Sequence, residues 1–216
     1  MTGNRLHTLL GLALLGLALM GSGCSQSATA DRQYYILDVT RPEGPASFHT
    51  DASLRIRRLN VDEEFATRPL VYRLDEFRYE SDYYHQFLIL PGVMITEEVR
   101  DWLADSGLFA RVTAVGSRVE TTYLLEGNVI DLYADFQNAS APVAVMTIRF
   151  FLLTGPDTEQ SVILAQTYEA ETPITAKTAE AVVEAFSKNL DGILANLETD
   201  MEKTLAAKRH QSTPPT

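Results

Sequence analysis

The sequence predicts an α+β fold in which a largely antiparallel sheet carries two main helices packed on one face. Three observations support this prediction. Most of the chain consists of short apolar or alternating runs that are typical of strands, and these runs follow one another in sequence. One stretch in the middle and one near the carboxyl end repeat apolar residues at helical spacing. Strands grouped apart from helices favour α+β over a βαβ arrangement.

The strand predictions rest on β-branched and aromatic residues bounded by turn signals. A slip in alternation at Arg57-Arg58 indicates a β-bulge, and Gly127 marks a second candidate bulge. Asp75-Glu76 separates two short runs that predict a β-hairpin. Strands are predicted at residues 34–39, 54–61, 70–74, 77–80, 108–115, 122–136, 143–153 and 162–172.

Two helices complete the predicted domain, which spans residues 34–207. The first begins at Pro91, because proline suits the first turn of a helix, and ends before Gly107, a residue favoured just beyond a helix end. The second is predicted at 176–207, where one apolar stripe recurs through the whole stretch. Residues 208–216 are polar and proline-rich, which predicts a disordered tail.

The amino-terminal residues predict a signal sequence. Arg5 precedes an apolar run of 12 residues, from Leu9 to Met20. A helix of that length spans about 18 Å, less than the roughly 30 Å core of a bilayer. Small residues then lead directly to Cys24, the only cysteine of the chain. We interpret residues 1–23 as a lipoprotein signal peptide and Cys24 as the lipidation site; the alternative is an ordinary signal peptide.

Residues 24–33 are small and polar after the cysteine, so they are predicted to form a lipidated flexible tether. Ser25 follows Cys24, where aspartate would resemble an inner-membrane retention signal, so the sequence favours the periplasmic face of the outer membrane. Removing 23 residues from 216 leaves 193, with a net charge of about −12. Such an acidic chain is not expected to bind nucleic acid.

Several stretches together resemble one known family. They are the lipobox cysteine, Tyr34-Tyr35-Ile36-Leu37, the hairpin strands at 70–73 and 77–79, the run from Trp102 to Phe109, and Tyr123-Leu124-Leu125-Glu126-Gly127-Asn128-Val129. With the closing amphipathic helix, they look like the ABC-type transport auxiliary lipoprotein family, the PqiC-like group. The family often has a tryptophan-containing segment after the hairpin, whereas this chain has residues 82–87 without tryptophan.

The resemblance implies a non-enzymatic component of a lipid-transport system. Its implied partners are an MCE-domain protein and an ABC transporter or membrane complex. The implied cargo is phospholipid or another hydrophobic molecule, and phospholipid is also a candidate direct ligand. The lipoprotein itself would act by protein–protein docking.

The residues indicate no cofactor and no metal centre. The chain has no Walker A loop, no His-Glu-x-x-His motif and no cysteine cluster. Asp62-Glu63-Glu64 is interpreted as a solvated run, and Asp131 with Asp135 as a polar sheet edge. His85 is the candidate base if the protein is instead an envelope hydrolase.

An aromatic stretch around the hairpin contains the candidate contact residues. The set for partner or lipid contact is Tyr72, Arg73, Phe77, Arg78, Tyr79, Tyr83 and Tyr84. Two interpretations stay open: core packing with cross-strand pairs, or an exposed patch that binds a partner or an acyl chain. The alternative functions are a stand-alone lipid-binding carrier and, second, the hydrolase.

Overall fold

The computed structural model describes residues 31–113, 120–154 and 160–212. These residues form strands and two α-helices, which confirms the predicted α+β class. The strands are β1 Gln33–Tyr35, β2 Thr50–Ile56, β3 Asn60–Val61, β4 Pro69–Arg73, β5 Tyr79–Phe87, β6 Phe109–Thr113, β7 Tyr123–Asp135, β8 Val143–Thr154 and β9 Ser161–Pro173. The helices are α1 Pro91–Asp105 and α2 Ala179–Ser212, and a 3₁₀ turn spans Glu63–Phe65.

The sheet is arranged around β7. On one edge, β8 pairs with it antiparallel from Tyr123 to Asp135. Three short strands share the other edge of β7, and all three run parallel to it. β2 pairs with residues 123–125 of β7, β3 with residues 128–129 and β4 with residues 134–135. β9 lies outside β8, β6 outside β2, and β5 and then β1 outside β4. The sheet is therefore mixed: its longest pairings are antiparallel, and the short pairings along the second edge of β7 are parallel.

The main core lies between the two helices and one face of the sheet. Alternate side chains of β8 are fully buried on this face: Ala144, Met146, Ile148, Phe150 and Leu152. α2 contributes Phe186, Leu190, Ile193 and Leu194, and α1 contributes Val99, Trp102 and Leu103. All of these residues belong to one buried cluster, so both helices cover the same face, as predicted.

Helix α1 has the predicted bounds. Pro91 is its first residue, and Gly107, at φ +69°, follows the last turn in the left-handed conformation that glycine tolerates best. Helix α2 begins three residues later than predicted, because the Thr178 hydroxyl accepts the Ala181 N–H and caps the helix. α2 also continues to Ser212, so residues 208–212 are helical rather than part of a disordered tail. In the described residues, neither helix combines the length and apolarity needed to cross a bilayer.

Two predicted bulges differ from the structure. The slip at Arg57-Arg58 is a break between β2 and β3, where the Leu59 N–H donates to the Thr96 hydroxyl of α1 instead of to a strand. The irregularity in β7 falls between Val129 and Asp131, not at Gly127. Gly127 is required for a different reason: a Cβ there would stand 3.0 Å from the Phe150 ring.

The predicted first strand is shorter than expected, because residues 36–48 leave the sheet and cross α2. We call this stretch the strap. Its backbone N–H groups donate to helix side chains, from Asp38 to Ser187 Oγ (3.1 Å) and from Thr40 to Asp191 Oδ1 (2.9 Å). Hydrogen bonds that a sheet would provide are therefore supplied by α2.

A partly buried ion pair ties the strap to both helices. Arg41 donates two hydrogen bonds to Glu198 of α2, at 3.0 and 2.6 Å. Trp102 of α1 donates its indole N–H to the same carboxylate at 2.7 Å. The pKa of Arg41 is raised above its usual value, mainly by hydrogen bonding to Glu198. Paired and hydrogen-bonded in this way, the two partly buried charges compensate each other.

Gly92 of α1 and Gly192 of α2 provide a matched test of how closely α1 packs against Leu59. A Cβ at Gly92 would lie 2.9 Å from the Leu59 carbonyl oxygen, whereas a Cβ at Gly192, on the exposed side of α2, would meet nothing within 4 Å. We expect Gly92→Ala to lower the free energy of unfolding by about 1–3 kcal/mol through overpacking. Gly192→Ala should raise it by about 1 kcal/mol, because alanine favours the helix. Urea denaturation measures both, and a Gly92→Ala protein as stable as the wild type would contradict the close approach.

Candidate docking surface

The hairpin of β4 and β5 has an ordered tip that presents an aromatic side chain to solvent. The Asp75 carboxylate accepts the N–H groups of Phe77 and Arg78 at 3.0 and 2.9 Å, and the Leu74 N–H donates to the Arg78 carbonyl. Aspartate commonly closes turns in this way, which accounts for an Asp-Glu pair at a position where other turn sequences are favoured. Phe77 is 86% exposed at this tip.

A large bulge interrupts β5 between the tip and its far end. Pro69 pairs with Gln86 and Val71 pairs with Ser81, so four residues of β5 lie opposite one residue of β4. The extra residues project Tyr83 and Tyr84, whose rings pack edge to face at 5.2 Å. Both tyrosines are largely exposed.

Asp82 organises the bulge through four hydrogen bonds. Its Oδ1 accepts the N–H groups of Tyr84 and His85 at 2.8 and 3.0 Å. Its Oδ2 lies 2.7 Å from His85 Nδ1 and accepts the Tyr72 hydroxyl at 2.9 Å. Burial alone would raise the pKa of Asp82, but the bonds from His85, Tyr84 and Tyr72 outweigh it and hold the pKa below its usual value. For Tyr72, burial and then Asp82 raise the pKa of the phenol.

The seven predicted contact residues divide into two groups. Phe77, Arg78, Tyr79, Tyr83 and Tyr84 are exposed. Tyr72 is partly buried against Asp82, and Arg73 lies 3.5 Å from Asp135 with its guanidinium over the rings of Tyr79 and Tyr133. Core packing therefore describes Tyr72 and Arg73, and an exposed patch describes the other five. Cys24 lies outside the described residues.

Sequence reasoning missed a further exposed group at the far end of the hairpin. It consists of Tyr34, Ile36, Leu88, Ile89 and Leu90. Tyr34 belongs to β1, Ile36 begins the strap, and residues 88–90 form the segment before α1. Their apolar runs read like those of buried strands, so no signal in the sequence separates them from core.

A cleft of about 530 Å³ lies between the bulge and the start of α2. Asp82, His85 and Tyr72 line one side, and Lys177, Thr178 and Glu180 are among the residues of the other. Glu180 accepts a hydrogen bond from the Tyr35 hydroxyl at 2.9 Å, and burial followed by this carboxylate raises the pKa of Tyr35 to about 12.

Among the described residues that line the cleft, there is no serine or cysteine beside His85. Asp82 holds the ring nitrogen Nδ1 of His85, as a carboxylate does in a catalytic triad, so any base function would fall to Nε2. Thr178, the aliphatic hydroxyl residue of the lining, caps α2. Asp82 fixes the bulge of β5 and Tyr35 links β1 to Glu180 of α2, so the polar contacts of the cleft hold its walls in place.

The acidic residues noted in the sequence have structural roles. Asp62 Oδ1 accepts the amide of Asn128 at 2.8 Å, and Glu63 and Glu64 form the 3₁₀ turn. Asp135 pairs with Arg73. Within the described ranges, no three His, Cys, Asp or Glu side chains are grouped so as to hold a metal ion.

Comparison with known proteins decides the family. Residues 34–197 match the family described as ABC-type transport auxiliary lipoprotein component. The chain belongs to this family. No curated protein sequence matches it. The family is one of transport components rather than enzymes, and as a lipoprotein family it implies a membrane-anchored location in the envelope.

Solved structures share the fold at low sequence identity. The crystal structure of protein XCC0632 from Xanthomonas campestris has a TM-score of 0.71 and 19% identity, over 84% of this chain and 100% of that chain. An uncharacterized protein has a TM-score of 0.63 and 10% identity, over 79% of this chain and 99% of that chain. At these identities the likeness concerns the fold alone.

Removing the Asp82 charge should weaken the bulge. We expect Asp82→Asn to lower the free energy of unfolding by about 2 kcal/mol at neutral pH, because charge-assisted hydrogen bonds are lost. The folded-state pKa of Asp82 is depressed, so its contribution is complete above the ordinary value of 3.8 and is lost as pH falls through the folded pKa. The difference between wild type and variant should therefore shrink below pH 3.8.

The control is Asp51→Asn, since the Asp51 side chain is fully exposed. It should change stability by no more than about 0.5 kcal/mol at either pH. Denaturant melts at neutral and acidic pH give both differences, and an Asp82→Asn effect independent of pH would refute the assignment.

Proposed function

We propose that this protein is a lipid-anchored, periplasm-facing auxiliary component of an ABC/MCE-type transporter. It is fixed to the outer membrane through Cys24, and it acts by docking to the MCE-domain protein or to the transporter complex. The system moves phospholipid or another hydrophobic molecule across the envelope. Membership in the transport auxiliary lipoprotein family supports a lipid-anchored protein that serves a transporter.

The observation that carries the docking role is the tip of the hairpin. Phe77 is 86% exposed there, and Arg78 and Tyr79 flank it. A free phenyl ring held on an ordered turn is costly to leave in water and gains most when a partner covers it. Tyr79 packs edge to face on Tyr133 at 5.6 Å, so the surface behind Phe77 is fixed. Preorganised aromatic anchors of this kind are typical of interfaces.

The packed interior disfavours the stand-alone carrier. A carrier would hold an acyl chain between sheet and helices, where this protein has Met146, Phe150, Phe186 and Leu194, each 1% exposed or less. These side chains fill the space that a ligand would need. Docking needs no such cavity.

The lipid anchor can be tested at Cys24. We expect Cys24→Ser to abolish acylation, because the thiol is the acceptor of the lipid, and to release the protein from washed membranes. Intact-mass spectrometry and membrane fractionation measure the two effects. A wild-type protein that carries no acyl mass on Cys24 would contradict the proposal.

The docking surface can be tested by copurification. Tagged wild-type protein, extracted from membranes in mild detergent, should bring down an MCE-domain protein and an ATPase, both identified by mass spectrometry. We expect Phe77→Ser to reduce their recovery at least about tenfold, because loss of one buried aromatic anchor costs more than about 1.4 kcal/mol of binding. Its stability should be unchanged, since the ring is exposed in the free protein.

Val162→Ser serves as the matched control. Val162 is also apolar and 55% exposed, but it lies on the edge strand β9 at the other side of the sheet. Recovery of the partners should match that of wild type. Equal losses for both variants, or no MCE partner with the wild type, would overturn the docking proposal.

A further inference from the structure

The edge of the sheet formed by β1 and β5 carries a continuous apolar surface that the docking proposal does not use. We call it the edge patch. Its members are aromatic or aliphatic, and each is exposed over more than two fifths of its surface: Tyr34, Ile36, Tyr83, Leu88, Ile89 and Leu90. Exposed apolar side chains are ordinary when scattered, but a contiguous group indicates a contact surface.

Strand register places these side chains side by side. Tyr34 pairs with Gln86 and Tyr35 with Phe87, and the Leu88 N–H donates to the Tyr35 carbonyl. Alternation then sets Tyr34 on the outer face of β1 and turns Tyr35 toward α2, and Ile36, the first residue of the strap, falls on the side of Tyr34. Ile36 and Leu88 directly follow the last pair of this register, Tyr35 with Phe87.

Two arginines border the edge patch. The Arg32 guanidinium lies 4.3 Å from the centre of the Tyr83 ring and also interacts with Tyr34. The Arg68 guanidinium lies 5.9 Å from the Tyr34 ring and donates to the Leu88 carbonyl at 3.4 Å. Tyrosine and arginine beside aliphatic side chains are typical of the headgroup region of a bilayer, where apolar bodies insert and polar tips stay hydrated.

The covalent chain limits how far this edge lies from the anchor. β1 begins at Gln33, nine residues after Cys24. Nine residues span at most about 30 Å when fully extended. β1, which carries Tyr34 and is followed directly by Ile36, is thus the first strand of the described domain after the proposed lipid.

Charge and strand length distinguish a bilayer from other occupants. The mature chain has a net charge of about −12, so attraction to anionic lipid over the whole surface is excluded and contact must come from apolar insertion. A strand from another protein would find only three residues in β1 to pair with, which is a short template. A second copy is a further occupant that the experiment below separates.

We propose that the edge patch inserts into the headgroup–acyl boundary of the membrane that holds the Cys24 lipid. The inference rests on the proposed function, because it requires that anchor. The lipid supplies attachment, and the edge patch fixes orientation. Phe77 lies at the opposite end of β5 from Leu88, so an inserted edge directs the hairpin tip away from the membrane.

Quenching by brominated lipid tests insertion. The full-length acylated protein is reconstituted into phosphatidylcholine vesicles whose acyl chains are brominated near the headgroup. Ile36→Trp places a reporter in the edge patch, and Val162→Trp places one on the exposed face of β9. Trp102 is buried and gives the same background in both proteins. We expect the Ile36→Trp emission to shift to the blue and to fall by about half or more, as for a side chain at the interface, whereas Val162→Trp should behave like wild type.

A second substitution keeps the result interpretable. Leu88 is 52% exposed, so adding Leu88→Asp to the Ile36→Trp protein should leave the fold intact and expel the patch from the bilayer. Quenching should then be lost. Quenching that survives Leu88→Asp, or that is equal for Ile36→Trp and Val162→Trp, overturns the proposal. A third result would also overturn the proposal: a blue shift that increases with the number of proteins per vesicle and is not accompanied by quenching from bromine. The edge patch would then join two copies of the protein.

The failure of this inference is distinguishable from failure of the proposed function. Acylation of Cys24 and copurification of an MCE protein are measured independently of tryptophan emission. Acylated protein with an unquenched Ile36→Trp reporter refutes insertion alone. Protein without an acyl group on Cys24 refutes the anchor itself and, with it, the orientation that depends on it.

Discussion

The architecture depends on β7, a strand paired on both edges. β8 satisfies one edge along its whole length, and three short strands share the other. Such a strand has no backbone groups left to face solvent in its paired stretches, so its register fixes the register of its neighbours. Gly127 lets the Phe150 ring approach this strand closely, and Leu125 and Val129 on either side of it are fully buried. The hairpin and the helices are positioned relative to this frame.

Local signals in the sequence predicted the elements better than their pairing. Helix α1 was predictable because Pro91 and Gly107 mark its two ends, and β8 because it is apolar on both faces. The parallel pairing of β2, β3 and β4 with β7 was not predictable, because nothing in a short alternating run identifies its partner. Residues 36–39 were predicted as strand because Ile36, Leu37 and Val39 favour extended backbone, but here the Leu37 N–H donates to Met94 of α1 and the Asp38 N–H to Ser187 of α2.

The candidate docking surface was likewise only partly predictable from the sequence. The aromatic residues of the hairpin were visible as a cluster in sequence, and five of the seven predicted contact residues are exposed. The role of Asp82 was not visible, since a carboxylate that closes a bulge has the same neighbours in sequence as one in any polar loop. The edge patch was missed because exposure of Tyr34 and Leu88 follows from the position of β1 at the margin of the sheet, which only the assembled topology defines.

The strap also determines how the domain bears force applied through its amino terminus. A pull applied ahead of Gln33 reaches β1 first, and three residue pairs hold that strand to β5. After β1, the force acts on the hydrogen bonds from the Asp38 and Thr40 N–H groups to α2. It then acts on the two hydrogen bonds that Arg41 donates to Glu198. Detaching β1, a strand of three residues, would lengthen the extended chain by about 10 Å and leave the main core closed. The domain thus has a short strand, β1, that detaches first under force. The strap that follows it is held more strongly, through the Arg41–Glu198 ion pair.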